Sequence, residues 1–292
     1  MENTPKIVVT IPAYNEEETI GDIIGNINRI LHHYNHEIQI IDDGSVDRTA
    51  DIARSLNARV ISHRGNFGLA ETFRDEIRVA ILNEADIIVH IDADGQYLPE
   101  EIPGLIDPII QDKADLVLGS RFGGNIEYMP WVKKVGNTLF SKVVSNIAGL
   151  HITDAQTGFR AFSKEVAKEV TIRSRYTYTQ EQIIRSAWQK FRIIEVPVVF
   201  SKRNYGTSRL MSNSLEYAIR GNVNLLRIYR DYAPLKFFGS AGVLIIVLAF
   251  LLFLYSSLIL QRTMDITVIF LAISGVQILL FGFLADMIDQ RY

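Results

Sequence analysis

Two long uncharged apolar runs near the C-terminus constrain the fold most strongly. The first, FFGSAGVLIIVLAFLLFLYSSLILQ, extends from Phe237 to Gln261, and the second, ITVIFLAISGVQILLFGFLA, extends from Ile266 to Ala285. A helix needs about 20 mainly apolar residues to cross the hydrocarbon core of a bilayer. Neither run shows the amphipathic stripe of a helix packed on a soluble core. We therefore predict a C-terminal hairpin of two transmembrane helices rather than two buried core helices.

The charges that flank these runs predict their orientation. The short segment QRTMD between them is a tight turn, so both outer ends of the hairpin lie on one side of the membrane. Basic residues concentrate at the outer ends, whereas the turn carries only Arg262; the flanking residues are Arg220, Arg227, Arg230, Lys236 and Arg291. Because cytoplasmic loops are enriched in Lys and Arg, we expect the rest of the chain to be cytoplasmic. The sequence thus indicates a two-span protein of the cell membrane.

The remainder of the 292 residues is long enough for a sizeable core. We expect a catalytic domain over residues 1–212, an amphipathic juxtamembrane segment over 213–234 and the hairpin over 235–292. Basic residues outnumber acidic ones between Lys202 and Lys236, which favours contact with anionic lipid headgroups. The absence of cysteine excludes disulfides, thiolate metal sites and a cysteine nucleophile.

Residues 6–200 alternate between short apolar runs and longer amphipathic ones. KIVVTIP, EIQIID, RVISH, DIIVHIDAD and DLVLGSR have the composition of strands. A helix is predicted after the first of them, with Asn15 as N-cap, Glu18 at the capping-box spacing and an end near His33. Strands interleaved with helices indicate βαβ units. We expect an α/β fold with a Rossmann-like, mainly parallel sheet covered by helices on both faces.

Polar clusters begin where the apolar strands stop. They are PAYNEE, DDGS, DADGQ and GSRF. In open α/β sheets ligands bind at the carboxyl ends of the strands, so we expect these clusters to converge on one edge. A carboxylate of Asp42 or Asp43 would be placed there to bind a ribose or a base, although DDGS is equally natural as a turn.

The stretch HIDADGQYLPEEI, residues 90–102, carries the most specific chemistry. If the strand continues through it, Asp92, Asp94 and Gln96 point to one side. Carboxylate and amide oxygens suit Mg²⁺ or Mn²⁺ rather than zinc, and Mg²⁺ commonly bridges protein carboxylates to substrate phosphates. A D-x-D pair is also common in plain turns. His90, inside the strand, is expected to be a core residue rather than a ligand.

Three arginines could supply the positive charge that an oligophosphate requires. Arg121 ends the strand DLVLGSR, and Arg203 and Arg209 lie in KRNYGTSRL. Arginine binds phosphate through a planar fork of N–H donors; the alternative is that these residues are solvated surface arginines. The chain has neither G-x-G-x-x-G after a strand nor G-x-x-x-x-G-K-[ST], which weakens the case for dinucleotide oxidoreductases and P-loop hydrolases.

A helix predicted at about residues 130–149 has two interpretations. Its apolar stripe consists of Val132, Val135, Leu139, Phe140, Val143, Val144 and Ile147. The stripe can pack on the domain as an ordinary amphipathic helix. Alternatively, the helix lies at the membrane interface, anchored by Met129 and Trp131.

Six segments in this order, followed by two spans, resemble a known enzyme family. IPAYNEEETI, DDGSVDRT, DADGQY, GSRF, DAQTGFRAF and YGTSRL are similar to the motifs of family 2 glycosyltransferases with the GT-A fold. The closest group is the polyprenyl-phosphate glycosyltransferases, which includes dolichol-phosphate mannose synthases. The resemblance covers roughly residues 5–212 and implies use of a nucleotide sugar; it specifies the sugar much less.

The resemblance assigns roles residue by residue. It implies donor nucleoside contacts at Pro12, Tyr14, Glu16, Ile41 and Asp43, and places Asp92, Ala93 and Asp94 against the ribose and diphosphate. Asp94 and Gln96 would be the principal metal ligands, with Asp92 close by. Arg121, Arg203 and Arg209 would bind phosphates of donor, product or acceptor, and the family often has lysine where Arg209 stands.

Two positions depart from the family pattern or have an unsettled role. Some members carry an arginine-rich stretch before the acceptor helix, where this chain has WVKK, so Lys133 and Lys134 are candidate ligands of the acceptor phosphate. Glu181, in YTQEQ, matches an acidic position near the sugar whose role is unsettled. Asp92, Asp94, Arg121 and Glu181 are therefore the candidate catalytic residues.

The sequence predicts metal-dependent transfer of one sugar (mannose, glucose or N-acetylglucosamine) from a GDP- or UDP-sugar to a polyprenyl phosphate, with inversion implied by the resemblance. A phosphate acceptor is already anionic and needs no dedicated base. One alternative is a family 2 transferase with a hydroxyl acceptor, which the absence of Q-x-x-R-W disfavours. A second is a non-catalytic nucleotide-binding membrane scaffold. A third is a nucleotidyltransferase, which the order of the motifs disfavours. Membrane lipid is an expected partner and nucleic acid is not; self-association is allowed but not required.

Overall fold

The computed structural model describes residues 4–174, 178–202, 223, 226–259 and 265–289. The chain divides into two compact units, Met1–Ser214 and Leu215–Tyr292. The first contains the sheet and its helices, and the second contains the two long apolar helices.

The first unit is built on a seven-stranded sheet of order β3-β2-β1-β4-β6-β5-β7. The strands are β1 (Ile7–Ala13), β2 (His36–Asp42), β3 (Arg59–Ser62), β4 (Ile87–His90), β5 (Leu116–Ile126), β6 (Arg160–Ser163) and β7 (Ile193–Phe200). Strands β1 to β4 pair in parallel, and β5 is parallel to β7. Only β6 runs antiparallel to its neighbours β4 and β5. The predicted mainly parallel α/β sheet is confirmed.

Helices connect these strands and cover the sheet. They are α1 (Ile20–Ile30), α2 (Thr49–Ser55), α3 (Leu69–Leu82), α4 (Ile102–Ile110) preceded by a 3-10 turn (Pro99–Glu101), α5 (Trp131–Ala148), α6 (Lys164–Glu169) and α7 (Tyr178–Trp188). Every residue of β1 is buried, as expected for a central strand. Helix α1 contributes Ile20, Ile23, Ile24 and Ile27 to the same core. The spacing of these isoleucines is that of one helical face.

Two local predictions are wrong. Helix α1 begins at Ile20 with Thr19 as N-cap, not at Asn15, which has φ +54° and uses its side chain to bind a neighbouring loop. Strand β4 ends at His90, so Asp92 and Asp94 are not on an extended strand. The chain turns there instead, with Gly95 at φ +72°, a conformation that glycine adopts at little cost.

The C-terminal half of helix α5 packs as an ordinary amphipathic helix, and its position at a membrane interface stays a prediction; Met129, one of its two expected anchors, packs against the core instead. Phe140, Val144 and Ile147, in the C-terminal half, are buried against the domain, whereas Val132, Val135 and Leu139 are exposed. Trp131 is 76% exposed. The helix ends at Gly149, whose φ of +70° forms a left-handed C-cap. The N-terminal half therefore presents an unpacked apolar surface.

The second unit contains α8 (Pro234–Leu258) and α9 (Asp265–Asp289). Both are long and apolar enough to cross a membrane, with mean hydropathies of 2.8 and 2.4. They pack closely where glycines face each other: a Cβ on Gly242 would lie 2.7 Å from the carbonyl oxygen of Gly275, and one on Gly275 2.8 Å from that of Gly242. Small residues that let backbones approach are typical of membrane helix pairs. The two helices are candidate spans of a transmembrane hairpin.

Candidate active site

The loop after β2 is fixed by backbone amides that bind its two carboxylates. Asp43 is 5% exposed and accepts hydrogen bonds from the backbone N–H groups of Phe67 (2.8 Å) and Gly68 (2.9 Å). Asp42 accepts one from Ser45 N (2.9 Å). Hydrogen bonds from several backbone amides hold a carboxylate in one orientation. The side chains of DDGS thus order the loops that border the edge of the sheet.

The loop after β1 is bound to the loop after β2. Asn15 N donates to Ser45 Oγ (2.8 Å), and Asn15 Oδ1 accepts from Val46 N (2.8 Å). Glu16 N donates to Thr49 Oγ1 (2.8 Å). A Cβ on Gly44 would lie 2.7 Å from backbone atoms of Gly65, so the 63–68 loop packs on the DDGS loop as well. We call the edge of the sheet where these loops lie the rim, and residues 12–19, 41–49 and 63–68 its amide-bound half.

His63 connects Asp43 to helix α3. Its Nδ1 lies 2.8 Å from Asp43 Oδ1 and its Nε2 2.9 Å from Asp75 Oδ2. Burial alone would lower the pKa of His63, but the two carboxylates outweigh burial and raise it. The ring also stacks on Phe67, with centroids 5.0 Å apart. No sequence pattern pointed to His63.

The other half of the rim, at the ends of β4, β5 and β6, contains buried charge, and we call it the charged half. Asp92 Oδ1 lies 3.7 Å from His90 Nε2, and His90 Nδ1 lies 2.6 Å from Glu76 Oε2. His90 and Glu76 have no exposed surface. Burial would lower the pKa of His90, but Glu76 and Asp92 raise it to about 9. The prediction that His90 is a core residue is confirmed.

Asp94 and Gln96 lie in the turn that follows. Gln96 N donates to Asp94 Oδ1 (3.1 Å), and Gln96 Nε2 donates to the carbonyl oxygen of Ser201 (3.1 Å). Because the amide NH₂ is held by Ser201, the amide oxygen of Gln96 is the atom left to bind a cation. Among the described residues, no group of three or more His, Cys, Asp and Glu could hold a metal. Two carboxylates and an amide oxygen fit Mg²⁺ or Mn²⁺, whose other ligands are commonly water and phosphate.

Arg121 is bound to a carboxylate of the chain itself. Its Nε and Nη2 donate to Asp154 at 2.6 and 2.8 Å, and its guanidinium lies over the ring of Phe200. Arg121 is 5% exposed and Asp154 is fully buried. An arginine fork has further donors besides these two. Contact between Arg121 and a phosphate stays a prediction, and its structural partner is Asp154.

The two lysines of WVKK have different environments. Lys133 is partly buried, whereas Lys134 is exposed. Burial and the charge of Arg121 lower the pKa of Lys133, while Asp94, Asp92 and Asp154 act in the opposite direction. Lys133 therefore lies within electrostatic range of the DAD carboxylates. This difference between adjacent lysines is invisible in the sequence.

Glu181 is occupied by contacts within the chain. Its Oε2 accepts from the backbone N–H groups of Arg173 (3.0 Å) and Ser174 (2.7 Å), and its Oε1 lies 2.7 Å from Arg185 Nε. Glu181 is fully buried at the start of α7. The contacts show that it holds residues 173–174. Its proximity to the sugar stays a prediction.

The other candidates divide between the two halves of the rim. Pro12 and Ile41 are buried, and Tyr14 and Glu16 are partly exposed. Ala93 is buried, and its carbonyl oxygen accepts from Thr19 Oγ1 (2.6 Å), a contact between the two halves. Arg203 and Arg209 lie outside the described residues. Sequence reasoning gave no role to Glu76, Asp154 or Gly158, although the last two lie in the segment DAQTGFRAF. A Cβ on Gly158 would lie 2.6 Å from Asp92 Oδ2.

Comparisons of the sequence with known proteins identify one enzyme family. Residues 8–171, more than half of the chain, match the profile of glycosyl transferase family 2. The chain is 36% identical over 225 residues to the UDP-N-acetylglucosamine–dolichyl-phosphate N-acetylglucosaminyltransferase of Methanococcus voltae, covering 70% of this chain and 88% of the relative. It is 32% identical over 235 residues to the dolichol-phosphate mannosyltransferase of Pyrococcus furiosus, covering 76% and 64%.

The fold is shared with solved structures. One is glucosyl-3-phosphoglycerate synthase from Mycobacterium tuberculosis in complex with Mn²⁺, UDP-glucose and phosphoglyceric acid, with a TM-score of 0.60 and 23% identity. The similarity covers 76% of this chain and 79% of that one. At this identity the comparison supports the GT-A-like fold of the sheet unit.

Proposed function

The chain belongs to glycosyl transferase family 2, and from this premise we propose that it transfers a single sugar from a nucleotide sugar to a polyprenyl phosphate such as dolichyl phosphate. The observation that carries the proposal is that α5 combines a partly buried lysine, Lys133, with an exposed apolar surface. A cation on a helix with exposed apolar surface is what a phosphate on a lipid chain requires. The two relatives described above are named for transfer to dolichyl phosphate.

The donor is a GDP- or UDP-sugar bound across both halves of the rim. The amide-bound half, with Pro12, Tyr14, Glu16, Ile41 and Asp43, takes the nucleoside. The charged half, with Asp92, Ala93 and Asp94, takes the ribose and diphosphate. Arg121, and Arg203 and Arg209 outside the described residues, complete the contacts to the phosphates. The order of these segments along the chain is that of the family motifs.

Asp94 and Gln96, with Asp92 beside them, would hold Mg²⁺ or Mn²⁺. When bound, the ion neutralises the charge that develops on the departing nucleoside diphosphate. The fixed NH₂ of Gln96 supports this role because it leaves the amide oxygen oriented before the ligand arrives.

The acceptor phosphate supplies its own nucleophile. A phosphate oxygen attacks the anomeric carbon, the bond from that carbon to the diphosphate oxygen breaks, and inversion results. A phosphate monoester is anionic at neutral pH, so no side chain has to remove a proton. The chain contributes positioning and charge: Lys133 binds the acceptor phosphate, and Arg121, held by Asp154, contributes positive charge beside the departing group.

The exposed apolar half of α5 fits an acceptor that stays in the bilayer. Trp131, Val132, Val135 and Leu139 are exposed on the helix that carries Lys133. Tryptophan and basic residues are enriched at the membrane interface. With α8 and α9 as the spans, the sheet unit would act at the cytoplasmic surface of the cell membrane.

The test is transfer of radiolabel from a panel of GDP- and UDP-sugars into organic-extractable lipid. Membranes containing the full chain are supplied with dolichyl or undecaprenyl phosphate and Mg²⁺, Mn²⁺ or EDTA. We expect one donor to label the lipid, a loss of at least 100-fold in Asp94→Ala, and no label in EDTA. Nucleotide binding without lipid label from any donor would refute the polyprenyl-phosphate acceptor.

Lys133→Ala and Lys134→Ala form a matched pair, because the two lysines are consecutive in α5 but Lys133 is partly buried and Lys134 is exposed. We expect Lys133→Ala to raise the KM for polyprenyl phosphate about tenfold or more, the loss of one charge-assisted contact, and Lys134→Ala to raise it much less. Equal effects of the two substitutions would contradict the assignment of Lys133 to the acceptor phosphate.

A further inference from the structure

A buried acid and histidine lie directly behind Asp92. Glu76, on α3, contacts His90 Nδ1 from the side of the ring that faces away from the rim, at 2.6 Å. His90 Nε2 points at Asp92 Oδ1 across 3.7 Å. Within the part of the chain that the structure describes, this nitrogen is buried and has no hydrogen-bond partner. The pair is thus aimed at a carboxylate of the DAD motif.

Stability does not explain this pair. Removing two polar groups from water costs free energy that their mutual contact only partly offsets, and apolar residues of similar volume often serve stability as well or better. An aromatic ring also packs against the histidine: the ring of Phe73 meets His90 edge-on with centroids 5.1 Å apart. The polar pair therefore has a use other than holding the sheet together.

The contacts of Asp92 indicate what that use is. One carboxylate oxygen faces His90, and the other lies against Gly158, where a Cβ would be only 2.6 Å away. Phe73 and Tyr178, on two different helices, flank the imidazole ring. The His90 ring is held rigidly on one side of the Asp92 carboxylate, and the backbone of Gly158 lies close on the other. The carboxylate therefore has few possible orientations. Hydrogen bonds that are long without ligand often shorten in the complex.

We propose that His90, backed by Glu76, is a positioning residue that orients the Asp92 carboxylate toward the nucleoside diphosphate of the donor. The inference rests on the proposed function, because it takes the nucleotide as the ligand of Asp92. It adds two buried residues, Glu76 on α3 and His90 on β4, to the determinants of donor affinity, although neither would touch the donor.

The experiment compares the wild-type chain with Glu76→Met/His90→Leu, in which both members are replaced by apolar residues of similar volume. Binding of GDP and UDP is measured by calorimetry with Mg²⁺ and in EDTA, and the melting temperature is measured in parallel. We expect the double variant to melt within a few degrees of wild type and to bind the nucleotide about tenfold more weakly, the usual size of a lost contact to a charged group.

Two further variants separate positioning from packing. Phe73→Leu removes a neighbour of His90 that makes no polar contact with Asp92, so it should bind nucleotide within about twofold of wild type. His90→Gln, whose amide can donate toward Asp92, should bind better than His90→Leu. In lipid-labelling assays the double variant should raise the KM for the donor and leave that for polyprenyl phosphate unchanged.

The outcomes distinguish the inference from the function on which it rests. A double variant that melts normally and binds nucleotide like wild type would overturn the positioning role alone. One that does not fold would also overturn it, because the pair would then be structural. A wild-type chain that binds neither GDP nor UDP would refute the donor of the proposed function and the inference together.

Discussion

At the amide-bound half of the rim the carboxylates accept hydrogen bonds mainly from backbone N–H groups, whereas at the charged half they face cationic side chains. Asp43 is bound by the amides of Phe67 and Gly68. Asp154 is bound by the guanidinium of Arg121, and Asp92 faces His90. Both arrangements are buried. The second places the guanidinium of an arginine directly against a carboxylate, whereas the first adds only the ring of His63 to its backbone donors.

The difference matches the two parts of a nucleotide sugar. A nucleoside is neutral and is recognised by shape and hydrogen bonds, which rigid backbone loops supply. A diphosphate is highly charged, and charges in a site of low dielectric act on it more strongly than in water. In the proposed function, the fold would thus separate recognition of the nucleoside from stabilisation of the departing diphosphate.

The largest effect should follow from breaking the Arg121–Asp154 pair. In Asp154→Asn the side chain keeps its shape but leaves the charge of a buried arginine uncompensated. Removing one member of a buried pair costs about 3–5 kcal/mol, which chemical denaturation would measure as a lower free energy of unfolding.

The matched control is Glu37→Gln, which weakens a partly exposed pair with Arg59. It should cost less than about 1 kcal/mol. If Asp154→Asn costs no more than Glu37→Gln, buried charge does not distinguish the two halves of the rim.

A smaller effect should follow from disturbing the shape of the amide-bound half. Gly44 has φ +81°, and a Cβ there would lie 2.7 Å from the backbone of Gly65. Gly44→Ala should therefore destabilise the fold by about 1–3 kcal/mol and weaken nucleotide binding, because the DDGS and 63–68 loops must separate.

Gly149→Ala isolates the cost of the backbone angle. Gly149 has φ +70° but open space where a Cβ would lie. It should cost about 1 kcal/mol and leave nucleotide binding unchanged. A Gly44→Ala variant that loses no more stability than Gly149→Ala would show that the contact between the two loops is unimportant.

The sequence predicted the amide-bound half of the rim better than the charged half. Strand ends carrying PAYNEE and DDGS must meet at one edge of a parallel sheet, and the structure ties these loops together. The apolar runs at the C-terminus predicted α8 and α9, whose bounds shift by a few residues. The periodicity of apolar residues and the ends of strands are set by neighbouring residues, so they can be read from the sequence alone.

The charged half depends on contacts that have no local signal. Arg121 and Asp154 are 33 residues apart, and Glu76 and His90 are 14 apart. The Arg121–Asp154 pair follows from the sheet order, in which β6 lies antiparallel between β4 and β5. The Glu76–His90 pair follows from the packing of α3 on the sheet. The expected extended DAD was wrong for a related reason: β4 ends at His90, and Gly95 turns the chain.

The smallest effect tests whether the amide-bound half depends on any charge. His63 faces Asp43 and Asp75, and Asp75 also binds Arg78 at 2.6 Å. Because the two carboxylates raise the pKa of His63 in the folded state, protonated His63 stabilises the fold. That contribution is complete below the pKa of His63 in the unfolded chain, about 6.5, and is lost as pH rises through its pKa in the folded state.

The free energy of unfolding of wild type should therefore exceed that of His63→Gln by roughly 1 kcal/mol at pH 6, the scale of one hydrogen bond, and by less at pH 9. A difference that does not change between these pH values would mean that backbone amides alone hold Asp43, and the contrast between the two halves would be sharper still.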